Sequence, residues 1–392
     1  MSPERSEKPK LLLALLHVAF FVSGISTVLI GQVLPILLNK LALDDAQASY
    51  FFTWQFSGSI IGTGLTNQFG KKGKFLTATV LGCFFMALGI VLLNADSYQI
   101  CLFGFFFNGI GIGLTLPSIN MLILEFNTER ASSALSILNF FWGIGAIISQ
   151  PFIDFFTRGT NILTPTLILS SVLALVGVLI IFQPSGIEQK NISANENEEA
   201  EPLIWTRPLA WTIALFNFIH VGFESAMGGW LKTYTQRVEG VSLWFPPIFL
   251  YFLFFVVGRG VAPVFFRFLN ENKMIMLGLI AILGGMIILL SAESASFLSL
   301  GASLSGFGTS WIFPTNISRF SKIFGATATR RATPLFICGT IGSMFTTWLI
   351  GYISSANQND LRSGMFVLLA SVIFLIIVQS GLSLRKLTGM TR

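Results

Sequence analysis

The chain has 392 residues, of which 53% are hydrophobic and only 11% charged, and it carries a formal net charge of +6. A soluble domain of this length is never so poor in charge, so the composition places most of the chain in a bilayer. The basic excess follows from membrane orientation, described below, and excludes a nucleic-acid partner as its explanation.

A helix crosses the hydrocarbon core with about 20 apolar residues. Twelve segments between short polar breaks meet that requirement: 11–38, 46–69, 75–94, 98–125, 131–157, 163–183, 208–235, 244–268, 274–291, 294–320, 331–356 and 363–384. The first, LLLALLHVAFFVSGISTVLIGQVLPILL, exceeds the roughly 7–15 apolar residues of a signal-peptide core, so it reads as an uncleaved span, with Gln32 its best polar residue. The second carries Gln55 and ends in the loop GLTNQFGKKGKF, which holds Gly64, Asn67, Gly70, Lys71 and Lys72. The fourth holds Asn108, Asn120 and the string GIGIG at 109–113; with no strand before it, the string implies close helix packing rather than a nucleotide loop. The fifth contributes Asn139, Trp142 and Gln150.

After the sixth span, PSGIEQKNISANENEEAEPLIW is too polar to bury a core and reads as an acidic tether over 184–207, separating bundles at 1–183 and 208–392. The seventh span places Asn217, His220 and Glu224 three and four residues apart, hence on one helix face, with Gly228 and Trp230 beyond them. The eighth carries Arg259, and the tenth Asn316. With both termini on the cytoplasmic side, eighteen of the 24 Lys and Arg residues fall on that side and five on the other, leaving Arg259 within a helix, a clear positive-inside bias. Cys83, Cys101 and Cys338 all lie within spans and suggest neither a disulfide framework nor a metal site.

The chain also matches itself. GLTNQFGKKGKFLTATVLG at 64–82 aligns with GVAPVFFRFLNENKMIMLG at 260–278, a displacement of 196, and Gly104, Gly109, Gly111 and Pro117 match Gly301, Gly306, Gly308 and Pro314 at 197. Six spans per copy put both copies in the same orientation, giving an all-α membrane protein of two parallel six-helix pseudo-repeats.

Glu224 and Arg259 lie well inside their spans, where a charge costs about 2.5–3.5 kcal/mol on insertion scales and needs a partner, a wet cavity or neutralisation. At 1.5 Å per residue their antiparallel helices bring them within about 8 Å in height. Two readings are open: Glu224 binds and releases a proton while Arg259 tunes it, with His220 as a coupling neighbour, or the two form a permanent structural ion pair. The repeat equivalents, Thr27 and Thr63, do not titrate, so any proton step belongs to the second copy. Gln32, Gln55, Asn120, Asn139, Asn217 and Asn316 offer uncharged donors and acceptors suited to a polyhydroxylated ligand, and Trp230 offers a stacking face; the same residue types also join membrane helices.

GLTNQFGKKGKF resembles the major facilitator signature between the second and third spans, with Asn67 and Gln68 where the family usually has an acid and an arginine, and the resemblance implies a gating loop at Gly64, Asn67, Gly70, Lys71 and Lys72. VGFESAMGGWLKTY, Gly258–Arg259, GFGTSWIFPT at 306–315 and NFFWGIGA at 139–146 together resemble the fucose–galactose–glucose proton symporter branch, particularly its glucose/mannose members. The helix 1 acid of fucose members has no match here. The resemblance implies a monomeric twelve-span symporter of the plasma membrane, as in a bacterial inner membrane, that moves a neutral hexose with a proton by alternating access. It implies no cofactor, no metal and no enzymatic reaction. A proton-driven exporter of amphipathic molecules and a non-transporting sugar sensor are the alternatives.

Overall fold

The computed structural model describes residues 10–126, 131–183, 204–238, 246–325 and 332–387. The basic residues Arg5, Lys8, Arg130, Lys190, Arg330, Arg331 and Arg392, and the acidic tether over 184–203, lie outside the described residues.

Among the described residues thirteen α-helices follow in order: α1 (Lys10–Leu41), α2 (Asp45–Lys71), α3 (Phe75–Leu92), α4 (Tyr98–Phe126), α5 (Ala131–Phe156), α6 (Leu163–Ile181), α7 (Pro208–Arg237), α8 (Pro247–Phe265), α9 (Glu271–Ser291), α10 (Ala295–Thr309), α11 (Ile312–Phe324), α12 (Thr333–Ala356) and α13 (Leu361–Leu387). Lipid offers the backbone no hydrogen bonds, and a helix satisfies its own. Ten of these helices are long and apolar enough to cross a membrane. Of the others, α2 carries Gln47, Gln55, Asn67 and Gln68, while α10 and α11 are two pieces of one span interrupted at Ser310–Trp311. The twelve-span architecture results.

The helices fall into two compact units. The first holds α1 up to Val33, α2 from Trp54, and α3–α6; the second holds Leu34–Thr53 with α7–α13. In the first unit, alternate glycines of GIGIG serve two neighbours at once. A Cβ on Gly109 or Gly113 would strike the backbone carbonyls of Gln55 or Ser59 on α2, and one on Gly111 would strike Gly82 and Met86 on α3. With no hydrophobic drive between helices in lipid, such backbone approach supplies the dispersion contact that holds them. The second unit repeats the device, with Gly306 against the Tyr251 carbonyl on α8 and Gly308 against Gly278 on α9. Gly145 of α5 meets the Phe21 carbonyl of α1, and Gly342 of α12 meets that of Phe218 on α7. The repeat is therefore one of packing as well as of sequence.

Residues 34–53 join the second unit for polar reasons. The Asp45 carboxylate is fully buried and accepts both terminal N–H groups of Arg237 at 2.7 Å, together with the Ser354 hydroxyl. The Asp45 backbone N–H donates to Asn359 Oδ1 at 3.2 Å, and the Asn359 carbonyl accepts from Arg237. Nearby, the Phe52 ring packs on Trp230 with centroids 5.5 Å apart. A bidentate pair on a buried carboxylate is geometrically specific and costly to half-dismantle. Asp45→Ala is expected to cost about 2–3 kcal/mol, whereas Lys322→Ala, which breaks a pair whose lysine is 68% exposed, should cost under about 1 kcal/mol; thermal unfolding of the two purified variants in detergent checks the contrast.

Candidate functional site

α7 starts at a proline, whose missing N–H is harmless in a first helical turn. It then presents different residues to each neighbour. Gly228 faces the Phe252 ring on α8, Gly229 faces Phe52, and Trp230 is fully buried with its indole N–H donated to the Thr347 carbonyl of α12 at 3.0 Å. The GGW string is thus a three-way junction, and in this structure the Trp230 donor is committed to helix packing.

Asn217 and His220 are both buried on the polar face of α7, and Glu224 is half-buried. Asn217 donates to the Leu335 carbonyl of α12 at 2.9 Å, which leaves its Oδ1 without a partner. The His220 ring stacks on Phe216, with centroids 6.5 Å apart and planes 10° apart, and neither ring nitrogen has a hydrogen-bond partner. His220 is therefore not bonded to Glu224, one turn away. Glu224 takes part in none of the hydrogen bonds or ion pairs formed among the described residues.

Arg259 is held elsewhere, for a reason written in the sequence. Pro314 has no N–H, so the carbonyl four residues earlier, that of Ser310, loses its helical partner. The helix breaks there, and Arg259 Nε donates to the freed Ser310 oxygen at 3.2 Å. Gly258 lets α8 come close enough, since a Cβ there would meet the Ser310 hydroxyl. The guanidinium also lies over the Phe255 ring, 4.2 Å from its centroid, a cation–π contact. Glu224 and Arg259 are within reach of each other's charge without forming an ion pair. The first unit solves the same problem without charge: Pro117 frees the Gly113 carbonyl, and the Thr66 hydroxyl donates to it at 3.0 Å while α4 runs on unbroken.

The remaining candidates separate. Gln32 and Gln55 are buried in the first unit, and Gln55 Nε2 donates to the Thr27 carbonyl at 3.2 Å while its Oε1 has no partner. Asn120 is half-buried and Asn139 exposed, and each amide bonds back to its own helix, at Leu116 and Leu135. Asn316 is buried and structural, donating to the Ile213 carbonyl of α7 and accepting from Arg319.

Arg319 is a residue that sequence reasoning missed, having counted it as a loop cation. It is 6% exposed, donates to Gln379 of α13 at 2.7 Å, and lies 5.0 Å from the centroid of the Phe216 ring. Its only visible signal was a position three residues beyond Asn316, on the same helical face. In the candidate gating element, α2 ends at Lys71 and Gly73 turns the chain at φ +67°, while Lys74 N–H bonds back to the Phe69 carbonyl. Gly70 makes room for the Phe75 ring, and a Cβ on Gly64 would meet nothing within 4 Å.

Residues 16–333 match the pattern of the Major Facilitator Superfamily. The glucose/mannose transporter GlcP of Bacillus subtilis (strain 168) is 24% identical over 369 residues, covering 90% of each chain. Among solved structures, the outward conformation of FucP, the fucose:proton symporter of E. coli, has a TM-score of 0.63 and 20% identity over 94% of this chain and 97% of that one. The nucleoside transporter NupG has a TM-score of 0.78 and 10% identity, over 94% and 99%. At these identities the solved structures establish the fold alone.

Pro314→Ala restores an N–H opposite the Ser310 carbonyl. Amide hydrogen exchange across residues 311–315 is expected to slow roughly tenfold, the equivalent of one added hydrogen bond of about 1.4 kcal/mol; unchanged exchange would show that the break does not depend on the proline.

Proposed function

Because the chain belongs to the major facilitator superfamily, we propose that it is a secondary transporter, not an enzyme, that imports a neutral hexose with a proton by alternating access. The observation that carries this reading is the freedom of Glu224. Its carboxyl sits half-buried in a membrane-spanning helix, within electrostatic reach of Arg259, while the Arg259 guanidinium is occupied by Ser310 and Phe255. A permanent ion pair would lock both groups; a tethered arginine beside an unpaired acid leaves the acid free to bind and release a proton in each cycle. Arg259 supplies the field that favours release, and His220, one turn away with both ring nitrogens unpartnered, is the coupling neighbour.

The hexose reading rests on the uncharged polar set and on the GlcP relative. Gln55 Oε1 and Asn217 Oδ1 are buried acceptors without partners, and Gln32 is a third buried amide. Each suits a sugar hydroxyl. Asn120, Asn139, Trp230 and Asn316 complete the proposed set of ligand contacts. The loop at Gly64, Asn67, Gly70, Lys71 and Lys72 gates through its turn geometry and positive charge. The protein acts as a monomer in the plasma membrane, with both termini cytoplasmic, as the distribution of Lys and Arg directs.

The test is hexose uptake into proteoliposomes with and without an imposed inward proton gradient. Wild type is expected to accumulate sugar, and Glu224→Gln to retain exchange while its concentration ratio falls to about one, the limit for an uncoupled carrier. Accumulation by Glu224→Gln would make the carboxylate structural. Failure of the wild type to move hexose, with exclusion of amphipathic dyes, would transfer the assignment to export.

A further inference from the structure

Tyr251 has no role in the reading above, yet the fold gives it a defined place. It is fully buried on α8, and its hydroxyl makes no hydrogen bond of good geometry, its nearest polar neighbour being the Thr309 side chain of α10. A buried phenol ordinarily finds one. Tyr251, Phe255 and Arg259 are spaced by four residues and so form a ladder on one face of α8. The Tyr251 and Phe255 rings stack at 6.3 Å and 23°, and the guanidinium covers Phe255 from the other end. The phenol is within electrostatic reach of both Glu224 and Arg259.

The internal repeat supplies an independent argument. Gly109 on the Gln55 carbonyl and Gly306 on the Tyr251 carbonyl are the same backbone crossing, displaced by 196–197 residues. Gly145 on Phe21 and Gly342 on Phe218 fix α1 against α7 at 197. On this register Tyr251 stands where the first unit has Gln55, and Glu224 where it has Thr27. In the first unit the side chain at 55 already crosses to residue 27, as the 3.2 Å bond from Gln55 Nε2 to the Thr27 carbonyl. The equivalent crossing in the second unit leads from Tyr251 to Glu224.

We propose that Tyr251 is the positioning residue of the coupling site, its phenol O–H donating a hydrogen bond to the Glu224 carboxylate when that group is ionised and letting go when it is protonated. This inference rests on the transport reading only in calling Glu224 the coupling acid. Among the described residues, the charged and titratable groups around Glu224 are Arg259 and Tyr251 from α8 and His220 on α7 itself; α10 brings the neutral Thr309 to Tyr251. No proton is lost from the phenol in the cycle. The proton that leaves Glu224 goes to water, and the phenol hydrogen moves only in orientation.

The experiment is an infrared pH titration of purified protein in detergent, reading the protonated carboxyl C=O band that disappears in Glu224→Gln. In Tyr251→Phe the midpoint of that band is expected to move by about one pH unit toward the alkaline side, since one charge-assisted hydrogen bond to the ionised form is lost. Tyr251→Gln, which restores a donor of the kind found at position 55, is expected to bring the midpoint back. The KM for hexose counterflow in Tyr251→Phe should stay within about twofold of wild type. An unchanged midpoint in Tyr251→Phe overturns the proposal, and an unchanged midpoint with a raised counterflow KM makes the phenol a ligand contact instead. If the midpoint shifts as expected but wild type moves no hexose, the Tyr251–Glu224 contact stands and the transport reading fails. Should Tyr251→Phe fail to fold, the midpoint in Tyr251→Gln decides: equal to wild type supports the contact, and a displaced one refutes it.

Discussion

The second unit is organised around one carbonyl. In a bilayer a backbone oxygen without a donor is costly, and Pro314 creates one at Ser310. What fills that vacancy determines the chemistry available nearby. In the first unit a threonine hydroxyl does so, the helix stays continuous and no charge enters the membrane. In the second, an arginine does so, the helix breaks into α10 and α11, and a cation is fixed beside a carboxyl that it neutralises only at a distance. Gly258 and Gly306 are the steric conditions for this arrangement, because both allow the backbone of α8 to meet that of the broken span.

The two units thus share a scaffold and differ in what it holds. Thr27, Gln55 and Thr66 are neutral, and each donates to a backbone carbonyl, whereas Glu224, Tyr251 and Arg259 are ionisable at the related crossings. Thr66 and Arg259 are offset by one helical turn within the repeat, yet they satisfy the same oxygen. Position is conserved less strictly than the backbone demand it answers. The difference between the two units concentrates the ionisable groups in the second.

The spans and the repeat were legible because hydropathy and glycine spacing act along the chain and need no tertiary information. GIGIG was readable as packing for the same reason. The break at Ser310–Trp311 was not, since Pro117 and Pro314 look alike in sequence and differ only in which neighbour reaches the freed carbonyl. Arg319 was counted with the loop cations because a positive-inside count cannot tell a snorkelling arginine from one turned inward toward Gln379. Tyr251 lay in a run of Phe and Leu, where an aromatic residue reads as lipid-facing, and it was distinguishable only by shifting the chain against itself. Assigning residues 34–53 wholly to the first bundle follows from covalent order, whereas Asp45 finds its partners on α7 and α12.

That last contact bears on how the protein is made. Asp45 leaves the ribosome 192 residues before Arg237 and 309 before Ser354. At roughly 5–20 residues per second the carboxylate waits on the order of ten seconds or more for its first partner and longer for the second. Throughout that interval the tip formed by the end of α1 and the start of α2 has its charge unmatched and must remain in water. The hairpin that enters the membrane first is therefore among the last pieces to be finished, and a chain terminated after the sixth span would carry a permanently open seam.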